Sequence, residues 1–137
     1  MISRTDVERD LVIVACAISA GIQAALAPEH FSEDAAAGAG FVASALLLGS
    51  LTLILSRQAS SRALACTSVL LAGLIVSYAF AVATGLPLLH PQAEPVQGLA
   101  LFTKAVELVG LGAAFHLLPR RRLATVITFS RPKGTLA

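Results

Sequence analysis

The stretch AAAGAGFVASALLLGSLTLIL, residues 35–55, carries no charged side chain, and its only hydroxyl groups are those of Ser44, Ser50 and Thr52. A helix in a soluble bundle needs a polar face to meet water, and three scattered hydroxyl groups do not provide one. An apolar run of about 17–25 residues is long enough to cross the hydrocarbon core of a bilayer as a helix. This stretch therefore predicts a transmembrane helix.

Three more stretches of similar composition lie near residues 11–27, 63–86 and 96–118. Charged residues make up 13% of the 137 residues, about half of the roughly 25% that is usual in soluble domains. The segments between the apolar stretches are too short to form a soluble domain. We therefore predict an all-α fold, an integral membrane, up-down bundle of four transmembrane helices that forms one membrane domain over residues 1–137.

The basic residues predict the orientation of the spans, because loops on the cytoplasmic side are enriched in Lys and Arg. Nine of the ten Lys and Arg residues lie in the N-terminal segment, the second loop and the C-terminal tail. The first loop, residues 28–34, and the third loop, residues 87–95, contain none. We expect both termini in the cytoplasm, in a multi-pass protein of the bacterial cytoplasmic (inner) membrane.

The basic tail, residues 119–137, contains Arg120, Arg121 and Arg122 directly after the fourth span. Such a run typically anchors a helix through contact with anionic lipid headgroups. The alternative is a contact surface for a partner protein. Nucleic acid is not an expected partner, since the run is short, lies next to the membrane and has no interleaved aromatic residues.

Small residues recur at four-residue spacing in every span, and such positions let helix backbones approach closely in lipid. The positions are Ala17, Gly21 and Ala25; Ala36, Gly40 and Ser44; Gly73, Ser77, Ala81 and Gly85; and Gly110 and Ala114. Each set predicts a packing face. The sequence leaves open whether a given face meets another helix of the chain or a helix of another subunit.

The fourth span contains Lys104 and Glu107, one helical turn apart, whereas every other Lys and Arg lies outside the spans. A charge near the bilayer centre costs at least about 2.5–3.5 kcal/mol on insertion scales, so an ion pair there is a candidate functional site. Gln23 in the first span, and Tyr78 and Thr84 in the third, are expected at similar depth. We predict that these polar side chains form a hydrogen-bonded cluster with Lys104.

Three interpretations of this pair stay open. It can be a structural pair that fixes helix register or docks a partner, a proton or ion relay through Glu107, or a polar pocket for a small ligand or a lipid headgroup. The next titratable residue along the fourth span, His116, is nine residues further on and on the opposite helix face. This gap disfavours a relay across the membrane.

Histidine and carboxylate side chains in the two outer loops suggest a second candidate site. His30 and Glu33, with His90, can supply imidazole and carboxylate ligands for copper or zinc. The alternative is that they are ordinary loop residues. Cys16 and Cys66 fall inside spans without a CxxC spacing, so we expect them to be packing residues rather than metal ligands or a disulfide.

Several short motifs resemble a pattern found in small uncharacterised four-span bacterial membrane proteins. They are APEHF at 27–31 with Glu33, a glycine at 38 or 40 and Phe41, then GLP at 85–87, EPV at 94–96 and the in-span Glu107. The resemblance implies a histidine in the first span about seven residues before His30, and this chain has Gln23 there. If the family binds a metal through both histidines, this chain lacks one ligand, which favours a structural role.

The sequence contains no Ser/His/Asp, Cys/His or phosphate-loop pattern, so we do not expect an enzyme. Small size, the lack of a soluble domain and many small-residue faces favour an accessory or assembly subunit of a larger membrane protein complex. One alternative is a protein that binds a metal or a small ligand through the acidic and histidine-containing outer loops. A further alternative is a small proton-coupled transporter.

Overall fold

The structure is a computed structural model that describes residues 3–84 and 98–129, with side chains of the second segment described as far as residue 118. Within these ranges the chain forms four helices: α1 (Arg4–Glu33), α2 (Ala35–Arg57), α3 (Ser61–Thr84) and α4 (Gly98–Phe129). The predicted all-α fold is confirmed. Each helix is also long and apolar enough to cross a membrane.

α1 and α4, with 30 and 32 residues, are longer than the apolar stretches that indicate them, because each continues as helix into polar residues. At the start of α1, the Ser3 side chain accepts from the Asp6 amide while the Asp6 carboxylate accepts from the Ser3 amide, a capping box. At the other end of the chain, α4 continues eleven residues past Leu118, where the apolar part of this helix ends. The tail predicted from residue 119 therefore begins as helix.

The predicted first loop, residues 28–34, is wrong, because α1 continues through Pro28 as far as Glu33. Proline removes one hydrogen bond from a helix, here the bond to the carbonyl of Ala24. Both Ala24 and Pro28 are exposed, so this loss leaves no polar group in the packed core. Proline is also better tolerated in membrane helices than in soluble ones. His30 and Glu33 thus lie on a helix rather than in a loop.

A single residue, Asp34, connects α1 to α2 and caps both helices. Its amide donates to the carbonyl of His30, and its carboxylate accepts from the amides of Ala36 and Ala37 at 2.7 and 3.0 Å. The Phe31 ring of α1 packs directly on Gly38 of α2, since a Cβ atom at Gly38 would overlap the ring. We call this side of the bundle the Asp34 end, and the side with the α2–α3 turn, residues 58–60, the Gln58 end.

The four helices form a bundle in which α1 packs against α2 and α4, and α3 packs against α4. Of the four pairs of helices that contact each other, α2 and α3 pack together least extensively. α1 and α4 run antiparallel, as shown by contacts of Glu8 with His116 and of Ser19 with Glu107. The core contains Val12, Cys16, Leu48, Leu55, Ala59, Ala63, Leu64, Leu71, Ala114 and Leu117.

The structure separates the small-residue faces into inner and outer ones. Gly110 and Ala114 are buried, and a Cβ atom at Gly110 would lie 2.6 Å from the Cβ of Ala15 and 3.3 Å from Leu71 Cδ1. This face lets α4 approach α1 closely. The outer positions are exposed and comprise Ala17, Gly21 and Ala25 of α1, Ala36 and Gly40 of α2, and Gly73 and Ser77 of α3.

Candidate functional site

Lys104 and Glu107 form an ion pair on α4, with 2.7 Å between Lys104 Nζ and Glu107 Oε2. The carboxylate side chain is fully buried, and 14% of the lysine side chain is exposed. Spacing of three residues places both on one face of the helix. Because each charge offsets the other, the pair is neutral as a unit, which lowers the cost of holding it in an apolar surrounding.

Ser19 of α1 forms a hydrogen bond with the other oxygen of the Glu107 carboxylate. Its hydroxyl donates to Glu107 Oε1 at 2.6 Å, and Ser19 is itself fully buried. Both carboxylate oxygens therefore have a donor, one from each of two helices. The sequence does not reveal this contact, since a serine in an apolar span usually bonds to its own backbone. Only the register between α1 and α4 brings the two residues together.

Lys104 also reaches α3. Its Nζ lies 3.4 Å from the carbonyl oxygen of Leu74, a long hydrogen bond, and 5.6 Å from the centre of the Tyr78 ring. The second distance is within the range of a cation–π contact. The Tyr78 hydroxyl oxygen is buried and has no hydrogen-bond partner among the described residues. The ion pair thus joins three helices, α1, α3 and α4, around one ammonium group and one carboxylate.

The structure brings part of the predicted polar cluster together. Tyr78 contacts Lys104 through its ring rather than through its hydroxyl. Gln23 is buried on α1, but no hydrogen bond joins it to Lys104. Thr84 is exposed near the end of α3, and its hydroxyl donates to the Phe80 carbonyl of the same helix. The contact geometry therefore centres on Lys104, Glu107 and Tyr78, with Ser19 as an unexpected member.

A second polar contact between α1 and α4 lies at the Gln58 end. His116 Nδ1 is 2.9 Å from Glu8 Oε1, and Arg4 Nε lies 3.2 Å from the same oxygen. The His116 side chain is 49% exposed, so this contact lies at the surface of the bundle. On α4, His116 is nine residues, about 14 Å along the helix, from Glu107. The residues near it on α1 and α4 include the buried Val12 and Ala114.

The histidine expected in the first loop has structural contacts at the α1–α2 turn. His30 Nδ1 lies 3.0 Å from the carbonyl oxygen of Leu26, and its ring stacks on Phe41 with 3.8 Å between centroids. Glu33 is exposed at the end of α1, and His90 lies outside the described residues. In the described part of the chain, no group of three His, Cys, Asp or Glu side chains is placed to hold a metal ion.

The remaining candidate residues lie away from this cluster or outside the described side chains. Arg120, Arg121 and Arg122 are on the helical backbone of α4, but their side chains lie outside the described part. Cys16 is buried in the core and Cys66 is exposed on α3, and the structure shows both as free thiols. The contact of the basic run with lipid or with a partner stays a prediction.

Comparison of the chain with protein-family models, with curated proteins and with solved structures gives no match. The resemblance carried by the APEHF and GLP motifs therefore stays a prediction. A function for this chain rests on the geometry of its polar cluster and of its small-residue faces.

Proposed function

We propose that this chain is an accessory or assembly subunit of a larger membrane protein complex in the bacterial cytoplasmic membrane, with no catalysis of its own. The observation that carries the proposal is the set of outward-facing small residues on α1, α2 and α3. A Cβ atom at Gly21, Gly40 or Gly73 would meet nothing within 4 Å. Small residues that face the bilayer leave room for the backbone of another helix.

The polar cluster supports the same role because its carboxylate is enclosed and hydrogen-bonded within the chain. Both oxygens of Glu107 accept hydrogen bonds from within the chain, and the carboxylate is fully buried. A carboxylate that carries protons across a membrane needs access to water on both sides, one after the other. The pair of Lys104 and Glu107 is better suited to fix the register of α1, α3 and α4 than to exchange protons. We therefore favour a structural role over proton-coupled transport.

The proposed orientation follows from charge. With both termini in the cytoplasm, the Gln58 end and the arginine run after α4 lie on the inner side, and Asp34 lies on the outer side. Anionic lipids of the inner leaflet then attract the basic tail. The small-residue faces of α1, α2 and α3 point into the bilayer, where helices of partner subunits can reach them.

The test is extraction of the tagged chain from the host bacterium in a mild detergent, followed by native mass measurement and mass spectrometry. We expect a complex of fixed stoichiometry with at least one larger membrane protein. Replacing Gly21 or Gly73 with Leu fills the outer faces and should release the partner, while the bundle stays folded. Ala79→Leu adds the same bulk at an exposed position of α3 outside these faces and should leave the complex intact.

A wild-type chain that is extracted as a monomer or homodimer alone would contradict the proposal. So would a complex that survives Gly21→Leu and Gly73→Leu together, since the partner would then not use these faces. The thermal stability of each variant, measured in the same detergent, separates loss of the partner from loss of the fold.

A further inference from the structure

The hydroxyl group of Tyr78 lacks a hydrogen-bond partner in a place that water does not reach. Its oxygen is buried and unpaired within the described part of the chain, although a phenol group can both donate and accept. Buried polar groups in native proteins are nearly always paired, so an orphan in the structure of the chain alone points to a missing group. The ring that carries this hydroxyl is the one that Lys104 contacts.

Lys104 has an ammonium hydrogen without a good acceptor among the described residues. An ammonium group has three hydrogens, and the described residues supply two acceptors, Glu107 Oε2 at 2.7 Å and the Leu74 carbonyl at 3.4 Å. The second of these bonds is long. Nζ lies 5.6 Å from the centre of the Tyr78 ring, so the ammonium group of α4 and the phenol group of α3 are close together, and each has a hydrogen without a good acceptor among the described residues.

We propose that Tyr78 and Lys104 together bind the carbonyl oxygen of a neutral, membrane-soluble molecule, either a quinone ring or an acyl ester. This site goes beyond the subunit role proposed above and does not depend on it. An accessory subunit can be present in its complex with the site filled or empty. The two proposals therefore fail in different experiments.

Charge balance selects a neutral ligand. The charges of Lys104 and Glu107 already offset each other, so a carboxylate or phosphate would bring an unpaired negative charge into an apolar bundle. A carbonyl oxygen accepts two hydrogen bonds without adding charge. It can therefore satisfy both donors at the lowest cost in desolvation.

The surroundings of the site select a ligand that is dissolved in the bilayer. The site lies between α3 and α4, which are both long and apolar enough to cross a membrane, and exposed apolar side chains of these helices, including Val76, Phe80 and Phe102, would face lipid rather than water. A ligand dissolved in the bilayer reaches the α3 and α4 helices from the side, whereas a water-soluble ligand does not.

The experiment measures the thermal unfolding of the whole chain in mild detergent with increasing decylubiquinone or, in a parallel arm, dioctanoylglycerol. Decylbenzene, which has no carbonyl group, is the control for nonspecific apolar binding. We expect a saturable rise in Tm with one carbonyl compound and none with decylbenzene. The arm that gives the rise distinguishes a quinone from an acyl ester.

Two variants connect the shift to the proposed donors. Tyr78→Phe removes only the hydroxyl. It should raise the ligand concentration at half-saturation about threefold to tenfold, which corresponds to the loss of one neutral hydrogen bond. Lys104→Met with Glu107→Gln removes the ammonium without leaving an orphan charge and should abolish the shift. Ser77→Ala removes the neighbouring hydroxyl of α3, which is bonded to its own helix at the Gly73 carbonyl, and should bind as wild type does.

The Tm of Tyr78→Phe without any ligand gives a second readout. Because an unpaired hydroxyl does not stabilise the empty protein, this variant should unfold at the same temperature as wild type or higher. A lower Tm without ligand would show that the hydroxyl is already satisfied in the chain and would overturn the proposal. No rise in Tm with either carbonyl compound, or an equal rise in Tyr78→Phe, would overturn it as well.

Discussion

Ser19 on α1 and Glu107 on α4 share a hydrogen bond of 2.6 Å between two fully buried side chains. The bond joins the first helix of the chain to the last, across 88 residues of sequence. Lys104 occupies the other oxygen of the same carboxylate. The charge of Glu107 is thus neutralised from its own helix, and its position is fixed by another helix.

Ser19→Ala should destabilise the bundle by about 1–2 kcal/mol. Hydrogen bonds to charged groups contribute about 1.5–3 kcal/mol in soluble proteins, whereas interhelical bonds in membranes contribute about 0.6–2 kcal/mol. The charged acceptor places this bond near the top of the membrane range. Reversible unfolding in detergent micelles measures the free energy of unfolding. Ser77→Ala, whose exposed hydroxyl bonds within α3, is the control and should change it by less than about 0.5 kcal/mol. Equal effects of the two substitutions would show that the interhelical bond contributes nothing.

Lys104→Met should lower the free energy of unfolding more than the double variant that removes both charges. The single substitution leaves the buried Glu107 carboxylate without its cation, a change that typically costs about 3–5 kcal/mol. Adding Glu107→Gln removes the orphan charge and keeps an acceptor for Ser19, so the double variant should regain most of the lost stability. The coupling between the two sites is obtained from unfolding free energies of wild type, both single variants and the double variant. Additive losses would show that the two residues do not act as a pair.

The sequence predicts the helices well because apolar length is a strong signal in a membrane protein. The stretch 35–55 falls inside α2, Ala35–Arg57, almost end to end. Pro28 misleads, because proline usually marks a helix end in soluble proteins, yet α1 includes it. The turn residue between α1 and α2 is Asp34, whose carboxylate caps α2, and not the proline six residues earlier.

The polar site is predicted only within one helix. Lys104 and Glu107 lie three residues apart, so helical geometry alone places them together. The partners from other helices depend on rotation and register, which residue depth does not provide. For this reason Ser19 is missed, while Gln23, which is expected to reach Lys104, is not bonded to it.

Gly110→Ala should destabilise the bundle by about 1–3 kcal/mol, the usual cost of overpacking. The new methyl group would lie 2.6 Å from the Cβ of Ala15, an atom that moves only with the α1 backbone, so the two helices would have to separate. Gly112→Ala is the matched control, since a Cβ atom there meets nothing within 4 Å. That substitution should be neutral or stabilising by up to about 1 kcal/mol, because alanine favours helix. Unfolding in detergent compares the two. Ala15→Gly should rescue Gly110→Ala in part, and a failure to rescue would place the strain elsewhere.

The proposed orientation predicts which turns a membrane-impermeant maleimide reaches from outside the cell. Ser32 near the Asp34 end and Gln58 at the opposite turn are both exposed, and α2 between them has 23 residues, a rise of about 35 Å. In a background without Cys16 and Cys66, the Ser32→Cys variant should be labelled in intact spheroplasts. The Gln58→Cys variant should be labelled only after the membrane is permeabilised, because nine of the ten Lys and Arg residues indicate a cytoplasmic Gln58 end.

Labelling of both variants in denaturing detergent controls for thiol reactivity. The reverse pattern would invert the protein in the membrane and place the basic tail outside. Labelling of both in intact spheroplasts would show that α2 does not cross the bilayer.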